Sequence, residues 1–165
     1  MLQKIISGGQ TGTDRAALDA ALTLTFPCGG WCPKGRIAED GIISDEYPLR
    51  EMRSKDYRRR TRKNIADSDG TLIVVSQWPV TSPGTNFTIN IARMTKKPII
   101  VTIRREVAVS ESAIEKLIDW CEQKSIEVLN VAGPRMSKDL TIYEKTRELI
   151  DALLRETTKR DTPGG

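Results

Sequence analysis

The feature that most constrains the fold is a short apolar run that stops at a cluster of glycines and passes directly into a helical pattern. Residues 4–15 are KIISGGQTGTDR. Glycines in such a turn can adopt positive φ, and the helix that follows starts with unpaired N–H groups, so the combination binds phosphate or another oxyanion. Close strand-to-helix packing is the alternative explanation for the glycines. The predicted anion-binding residues of this turn are Ser7, Gly8, Gly9, Gln10, Thr11 and Gly12.

The turn does not match either of two common nucleotide motifs. A Walker A loop requires lysine and a hydroxyl residue after its last glycine, whereas Thr13 and Asp14 follow Gly12. The dinucleotide fingerprint fits only in part, because Ser7 takes the first glycine position and no carboxylate follows the next expected strand, residues 26–31. We therefore do not expect a Walker-type enzyme or an ordinary NAD enzyme.

Length and composition predict one cytoplasmic domain. A chain of 165 residues can bury an ordinary core, and we expect one domain over residues 1–156 with a frayed tail over 157–165. The sequence has no apolar stretch of about 18 residues and no secretory signal pattern, so no membrane association is expected. Three cysteines fit a reducing compartment better than a disulfide scaffold.

Charge and residue usage narrow the possible ligands. The formal net charge is +4 and aromatic residues make up 5% of the chain. Extensive nucleic-acid binding would require a larger positive charge and more aromatic residues for stacking. A small anionic ligand accounts for the basic excess. The chain has no histidine, which excludes histidine-dependent triads and removes the commonest metal ligand.

Apolar runs alternate with helical patterns along the chain. Alternating elements of this kind predict an α/β, Rossmann-like three-layer fold, with a central mostly parallel sheet of about five or more strands and helices on both faces. Residues 32–50 form a long loop whose apolar content favours an ordered structure. The expected strands cover residues 4–6, 26–31, 71–76, 99–103 and 126–131, and the expected helices cover 13–24, 54–66, 86–97, about 112–123 and 142–155.

In an open parallel sheet, ligands bind beyond the carboxyl ends of the strands. The loops at those ends are rich in glycine, hydroxyl or basic side chains, as an anion site requires. Arg60 and Asn64 stand one helical turn apart beside an apolar stripe, whereas their basic neighbours are expected to be solvated. Together with the glycine turn, the predicted binding residues are Gly30, Trp31, Lys34, Arg36, Arg60, Asn64, Ser76, Gly84, Thr85, Arg135 and Ser137.

Two further pairs of residues allow more than one interpretation. Cys28 and Cys32 are spaced like metal ligands, but the chain offers no other zinc partners, so buried or half-buried thiols are expected and no metal site is assigned. Glu39 and Asp40 are adjacent in the long loop. They are predicted either to order the loop or to contact the ligand.

Several motifs occur along the whole chain: IISGGQTG with DRAALD at 5–19, CGGWCPKGR with AEDG at 28–41, YPL at 47–49, and Tyr57, Arg60-Thr61, Asn64, PGT at 83–85, and NVAGPR with Ser137. With these motifs the chain resembles the molybdenum cofactor carrier family, part of a wider Rossmann-like group that includes lysine-decarboxylase-like phosphoribohydrolases. The resemblance implies a homo-oligomer, a dimer or tetramer, that binds the molybdenum cofactor (molybdopterin), protects it and delivers it to molybdoenzymes without bond-making chemistry. No catalytic residue is therefore assigned.

The competing interpretation is a nucleoside-monophosphate phosphoribohydrolase on the same fold. Its glycine-rich motif ends in a catalytic glutamate, and the alignment of Gly84-Thr85 with that motif places Thr88 at the glutamate position. Binding is therefore favoured over hydrolysis. A nucleotide-sensing module would share the phosphate cradle, and molybdate, phosphate or a nucleotide remains an alternative ligand to the full cofactor.

Overall fold

The computed structural model describes residues 1–161 as an α/β protein. The strands are β1 (Lys4–Ile6), β2 (Cys28–Gly29), β3 (Trp31–Cys32), β4 (Ile37–Ala38), β5 (Gly41–Ile42), β6 (Arg50–Glu51), β7 (Gly70–Val75), β8 (Ile99–Ile103) and β9 (Val128–Ala132). The helices are α1 (Thr13–Thr23), α2 (Tyr57–Ala66), α3 (Pro83–Met94), α4 (Glu111–Gln123) and α5 (Ile142–Asp161).

The central sheet has five parallel strands in the order β2-β1-β9-β7-β8. If β9 is numbered 1 and β1, β2, β7 and β8 are numbered 2 to 5, the strands lie in the order 3-2-1-4-5, which is the order of the Rossmann sheet. The strand that would come first in an ordinary Rossmann chain therefore comes last here, and it lies in the middle of the sheet.

Helices cover both faces of this sheet, which confirms the predicted three-layer fold. Every residue of β7 is buried, and its side chains alternate between two cores. Leu72 and Val74 pack into the core formed with α1, α4 and α5, while Ile73 and Val75 pack with Ile89 of α3. Strands buried on both faces carry near-continuous apolar runs, which is why β7 shows no polar alternation in the sequence.

Several element boundaries differ from the sequence prediction. Helix α3 starts at Pro83 rather than at residue 86, because Ser82 caps it and proline suits the first helical position. Ser110 caps α4, which begins at Glu111. Helix α5 continues to Asp161 with Thr157 buried, so the expected frayed tail does not begin at residue 157; residues 162–165 lie outside the described part of the chain.

The predicted second strand over 26–31 is wrong in its extent. Only Cys28–Gly29 joins the central sheet, while Trp31–Cys32 pairs with Arg50–Glu51 in a separate two-stranded sheet. The break follows from Gly30, whose φ of 124° takes the backbone out of the extended conformation. The long loop is ordered, as expected, and contains β3 to β6. Within residues 1–161, no helix combines the length and apolar character needed to cross a membrane.

Candidate functional site

A cleft of about 240 Å³ opens beyond the carboxyl ends of β1 and β9, between α2 and the start of α3. We call it the main cleft. It brings together part of the predicted set, namely Gly8, Gln10, Arg60, Asn64, Gly84, Thr85 and Arg135. Its other lining residues are Asp14, Tyr57, Arg58, Thr61, Ser82, Pro83, Phe87, Thr88, Asn130, Val131, Ala132 and Gly133.

The first turn of α3 forms an open wall of the main cleft. The sequence Ser82-Pro83-Gly84-Thr85 produces this turn, because Ser82 caps the helix through the Thr85 N–H and proline presets the first helical φ. A Cβ added to Gly84 would meet no atom within 4 Å. There is therefore open space beside the positive end of the α3 dipole, which an anionic ligand group can enter.

Two buried donors on the cleft wall have no acceptor among residues 1–161. The side-chain carbonyl of Gln10 accepts hydrogen bonds from the N–H groups of Thr11 at 3.0 Å and Glu39 at 2.9 Å, which fixes the amide. Its Nε2 is buried and unpaired, and so is Nε of Arg60. Both atoms are shielded from solvent, and a Cβ at Gly8 would lie 2.8 Å from Arg60 Nε, so these two donors are packed within the protein and do not face the open space of the cleft.

A buried ion pair crosses the floor of the cleft. Arg60 Nη1 donates to Asp14 Oδ2 at 2.9 Å, and the two side chains are 11% and 6% exposed. A Cβ at Gly8 would lie 1.3 Å from Arg60 Nη1, so Gly8 provides the space in which this guanidinium lies. Arg60 neutralises Asp14, a cleft carboxylate that the sequence prediction did not include among the site residues.

Two half-buried aromatic rings give the cleft flat apolar surfaces, and each ring lies near two arginine side chains. The guanidinium carbons of Arg60 and Arg135 lie 6.0 and 5.8 Å from the centre of the Tyr57 ring. Those of Arg58 and Arg62 lie 5.5 and 5.3 Å from the Phe87 ring. Rings of this kind can stack against a planar heterocycle while the arginines attract its anionic groups.

The sequence prediction missed two cleft residues for which it contained a signal. Phe87 follows Gly84 by three residues, so helical spacing places the two on the same side of α3. Asn130 is the one polar residue of the strand β9, is 3% exposed and donates to Thr71 Oγ1 at 3.3 Å. A polar side chain in an otherwise apolar buried strand is itself a sign of a nearby site.

Other predicted residues serve the packing of the turn and do not line the main cleft. Ser7 Oγ donates to the Val131 carbonyl at 2.7 Å. A Cβ at Gly12 would lie 2.6 Å from the Pro134 oxygen, one at Gly30 would lie 2.2 Å from the Ser7 oxygen, and one at Gly9 would collide with Leu49. For these glycines the structure favours the packing explanation over direct anion contact.

Thr11 and Ser137 are joined by Glu39, which acts as a strap between three loops. The Glu39 carboxylate accepts hydrogen bonds from Thr11 Oγ1, from Ser137 N at 3.0 Å and from Ser137 Oγ at 2.5 Å. Desolvation alone would raise the pKa of Glu39, but these bonds and the charge of Arg135 outweigh it and lower the pKa below its ordinary value. Asp40 binds Arg15 at 2.9 Å, so both acidic residues of the loop help to order it.

Trp31, Lys34 and Arg36 lie outside the main cleft. The Trp31 indole N–H donates to Asp67 Oδ2 at 2.8 Å, and the Asn64 amide holds the Trp31 backbone through both its N–H and its carbonyl. Arg36 donates to four backbone carbonyls of its own loop, those of Ile43, Ser44, Tyr47 and Leu49. Lys34 is exposed.

Ser76 lines a second cavity of about 250 Å³ that shares Ser82 with the main cleft. Lys145 is 8% exposed and donates to Ser76 Oγ at 3.1 Å. Burial would raise the pKa of Asp139, but hydrogen bonds from Ser76 and Thr141 and the charge of Lys145 lower it below its usual range. The second cavity is therefore lined by a polar cluster that is largely paired.

The three cysteines are free thiols, as expected from the sequence. Cys32 and Cys121 are buried and Cys28 is half-buried, and burial raises the pKa of the Cys121 thiol to about 11. Within residues 1–161, no three His, Cys, Asp or Glu side chains are placed to hold a metal ion.

The fold and the position of the cleft define a Rossmann-like α/β protein. A family model described as the circularly permutated YpsA SLOG family matches residues 5–154, and the chain belongs to that family. The strand order agrees, since it becomes the ordinary Rossmann order when the count starts at β9.

A solved structure is also similar over nearly the whole chain. It is the crystal structure of a protein named "Putative molybdenum carrier protein" from Syntrophus aciditrophicus SB. The two sequences are 44% identical, the match covers 93% of this chain and 95% of that chain, and the TM-score is 0.86. The family resemblance predicted from the motifs is thereby confirmed. No curated protein matches the chain.

Proposed function

We propose that this protein is a non-catalytic, cytoplasmic, homo-oligomeric carrier that binds the molybdenum cofactor in the main cleft, protects it and passes it to molybdoenzymes. The observation that carries the proposal is the open first turn of α3 at Gly84, which lines the same cleft as Arg60 and Arg135. The similar structure named as a molybdenum carrier supports the choice of cargo.

The cleft chemistry fits a pterin that carries a phosphate. The phosphate is an acceptor-rich dianion, which suits the open first turn of α3 and the nearby Arg135. The pterin ring is planar and suits Tyr57 or Phe87 as a stacking surface.

Two residues of the main cleft, Thr88 and Asp14, favour binding over hydrolysis. Thr88 lines the cleft where the related phosphoribohydrolases have a glutamate, and its hydroxyl donates to the Gly84 carbonyl at 3.0 Å. The cleft carboxylate, Asp14, is bound by Arg60 and by the Gln10 N–H at 3.2 Å. The Asp14 Oδ2 atom already accepts these two hydrogen bonds, so it is not free to take a proton from a substrate.

The test is the cargo of freshly purified protein and its dependence on Gly84. We expect molybdenum by elemental analysis and pterin by fluorescence after oxidation. Gly84→Val places a branched side chain in open space at the second position of α3, and we expect it to lower pterin content at least about tenfold, equivalent to about 1.4 kcal/mol. Ser112→Val makes the same kind of change at the second position of α4 and should leave the pterin content unchanged.

A panel of nucleoside monophosphates separates the carrier from the alternatives. Release of free base by the wild-type protein would favour the phosphoribohydrolase, and thermal stabilisation by a nucleotide without base release would favour a nucleotide sensor. Either result in protein that holds no pterin would contradict the carrier proposal. Binding of molybdate alone would show that the oxo-metal end of the ligand is sufficient for binding to the cleft.

Charge on the cleft wall gives a further check. Arg135→Gln should weaken binding and reduce its dependence on salt, since Arg135 lies beside Tyr57 at the cleft. Arg59 is exposed on α2 and does not line the cleft, so Arg59→Gln is the matched control. Equal salt dependence in the two variants would show that Arg135 does not contact the anion.

A further inference from the structure

The positive charge of the protein is concentrated on one surface beside the main cleft. Residues 53–62 contain six basic residues and one acidic residue, whereas the formal net charge of the whole chain is +4. The rest of the chain therefore has no positive excess. Five of the six basic side chains are exposed, and we call them the basic surface: Arg53, Lys55, Arg58, Arg59 and Arg62.

The cations of the basic surface have no carboxylate partners. The two remaining cations of α2 are paired, since Arg60 contacts Asp14 and Lys63 contacts Asp67, each at 2.9 Å. Among residues 1–161, none of the five side chains of the basic surface forms an ion pair. On α5, by contrast, the cations pair with acidic residues of the same helix. The basic surface is thus open to an external anion.

The placement of these charges does not stabilise α2. The first turn of α2 contains no acidic residue, and Arg58 and Arg59 lie in it, close to the positive end of the helix dipole. Arg58 and Arg62 also stand one helical turn apart, a spacing at which like charges destabilise a helix. An anionic partner would relieve both repulsions, so the arrangement favours a role in recognition.

Two of the cations are held beside one aromatic ring. The guanidinium carbons of Arg58 and Arg62 lie 5.5 and 5.3 Å from the centre of the Phe87 ring on α3. Neither guanidinium has a hydrogen-bond acceptor among residues 1–161, so their N–H groups are free. Guanidinium groups positioned in advance can bind carboxylates through paired N–H groups at a smaller cost in side-chain freedom.

We propose that the basic surface docks an acidic segment of a partner protein, with Arg58 and Arg62 as two neighbouring carboxylate-binding positions. Arg58 also lines the main cleft, so the docked segment lies at the mouth of the cleft. Docking of this kind needs only the exposed side chains and is independent of what the cleft holds.

The surface fits an acidic protein better than a membrane or a nucleic acid. No large apolar side chain within residues 50–66 is exposed, so the surface has nothing to insert into a lipid layer. The neighbouring rings of Tyr57 and Phe87 each lie near two arginines already, which leaves no free ring there for base stacking. Four of the five cations are arginine, whose planar N–H groups match a carboxylate.

The test is the affinity of the full chain, free of ligand, for a fluorescently labelled polyglutamate peptide at low salt. We expect fluorescence anisotropy to show binding that weakens as salt is added. The double variant Arg58→Gln, Arg62→Gln should bind at least about tenfold more weakly.

The matched control is the double variant Lys116→Gln, Lys124→Gln. It removes the same charge from exposed positions in and just after α4, on the other face of the sheet from α2 and α3. Its affinity for the peptide should change by less than about twofold, because distant exposed charges are screened.

Phe87→Leu separates the positioning of the arginines from their charge. This variant keeps every cation and removes only the ring, and it should weaken peptide binding about threefold. No binding of the peptide, equal weakening by the two double variants, or an unchanged affinity of Phe87→Leu would each overturn the proposal. Tighter binding of single-stranded DNA or of phosphatidylserine vesicles than of the peptide would overturn it as well, by assigning the surface to a nucleic acid or a membrane.

Discussion

The glycine turn after β1 and the start of α3 are both glycine-containing segments at the carboxyl ends of strands, yet their glycines do opposite things. Gly12 faces the backbone of the loop after β9, where an added Cβ would lie 2.6 Å from the Pro134 oxygen. Gly84 faces space with no atom within 4 Å. Gly12 is required because the neighbouring backbone leaves no room for a side chain, whereas Gly84 leaves open space beside it.

The difference shows that the glycines of one motif can have different structural roles. The turn after β1 borders the main cleft through Gly8, Asp14 and the Gln10 side chain. Gly12 packs against the loop after β9, and Gly9 packs against Leu49. The open helix start in this cleft is the first turn of α3, whose sequence carries a single glycine.

The largest expected effect is the loss of stability when a side chain is added at Gly12, in the turn after β1. Gly12→Ala combines a positive φ of 76° with a backbone clash, and we expect the free energy of unfolding to fall by about 3 kcal/mol or more. Urea denaturation measures this change. A loss under about 1 kcal/mol would mean that the turn can relax, and the contrast with Gly84 would weaken.

An intermediate effect is expected where Glu39 holds the turn to its neighbours. Glu39→Gln keeps the shape but removes the charge, and we expect a loss of about 1 kcal/mol at pH 7. Because the folded-state pKa of Glu39 is lowered, the wild-type advantage is complete above the unfolded-state pKa and is lost as the pH falls through the folded-state value. The melting temperatures of the wild type and Glu39→Gln, measured from pH 7 to pH 3, should therefore converge in acid. A difference that stays constant with pH would contradict a stabilising role for the Glu39 charge.

The smallest effect on stability is expected at the open segment. Gly84→Ala fits the available space and the helical conformation, so the free energy of unfolding should change by no more than about 0.5 kcal/mol. Pterin content should nevertheless fall, though less than in Gly84→Val. If Gly84→Ala destabilises the protein as much as Gly12→Ala, the two glycines are not different in the way the structure indicates.

The sequence predicted the fold well because the fold depends on patterns within single segments. Strands such as Ile99–Ile103 are short apolar runs between polar turns, and their alternation with helices is enough to indicate a parallel sheet. The helix boundaries that were wrong depended on which residue caps the helix, Ser82 for α3 and Ser110 for α4, a choice that neighbouring residues offer almost equally.

The site was predicted less completely because it depends on which partner each side chain finds in three dimensions. Arg36 is a plausible anion ligand by type, but it is taken up by carbonyls of its own loop. Arg60 lines the main cleft, and its pairing with Asp14, 46 positions away in the chain, is visible only in the structure. Such pairings have no local signal in the sequence.

The central position of β9 has a consequence for the order in which the protein can be made. Until β9 is inserted, the β1–β2 pair and the β7–β8 pair share no strand contact, because β9 lies between them. The cleft takes Gln10 from the beginning of the chain and Arg135 from the loop after β9. During synthesis the cleft is therefore completed only when most of the chain has left the ribosome, and a chain stopped before β9 lacks the side of the cleft that Asn130 and Arg135 line.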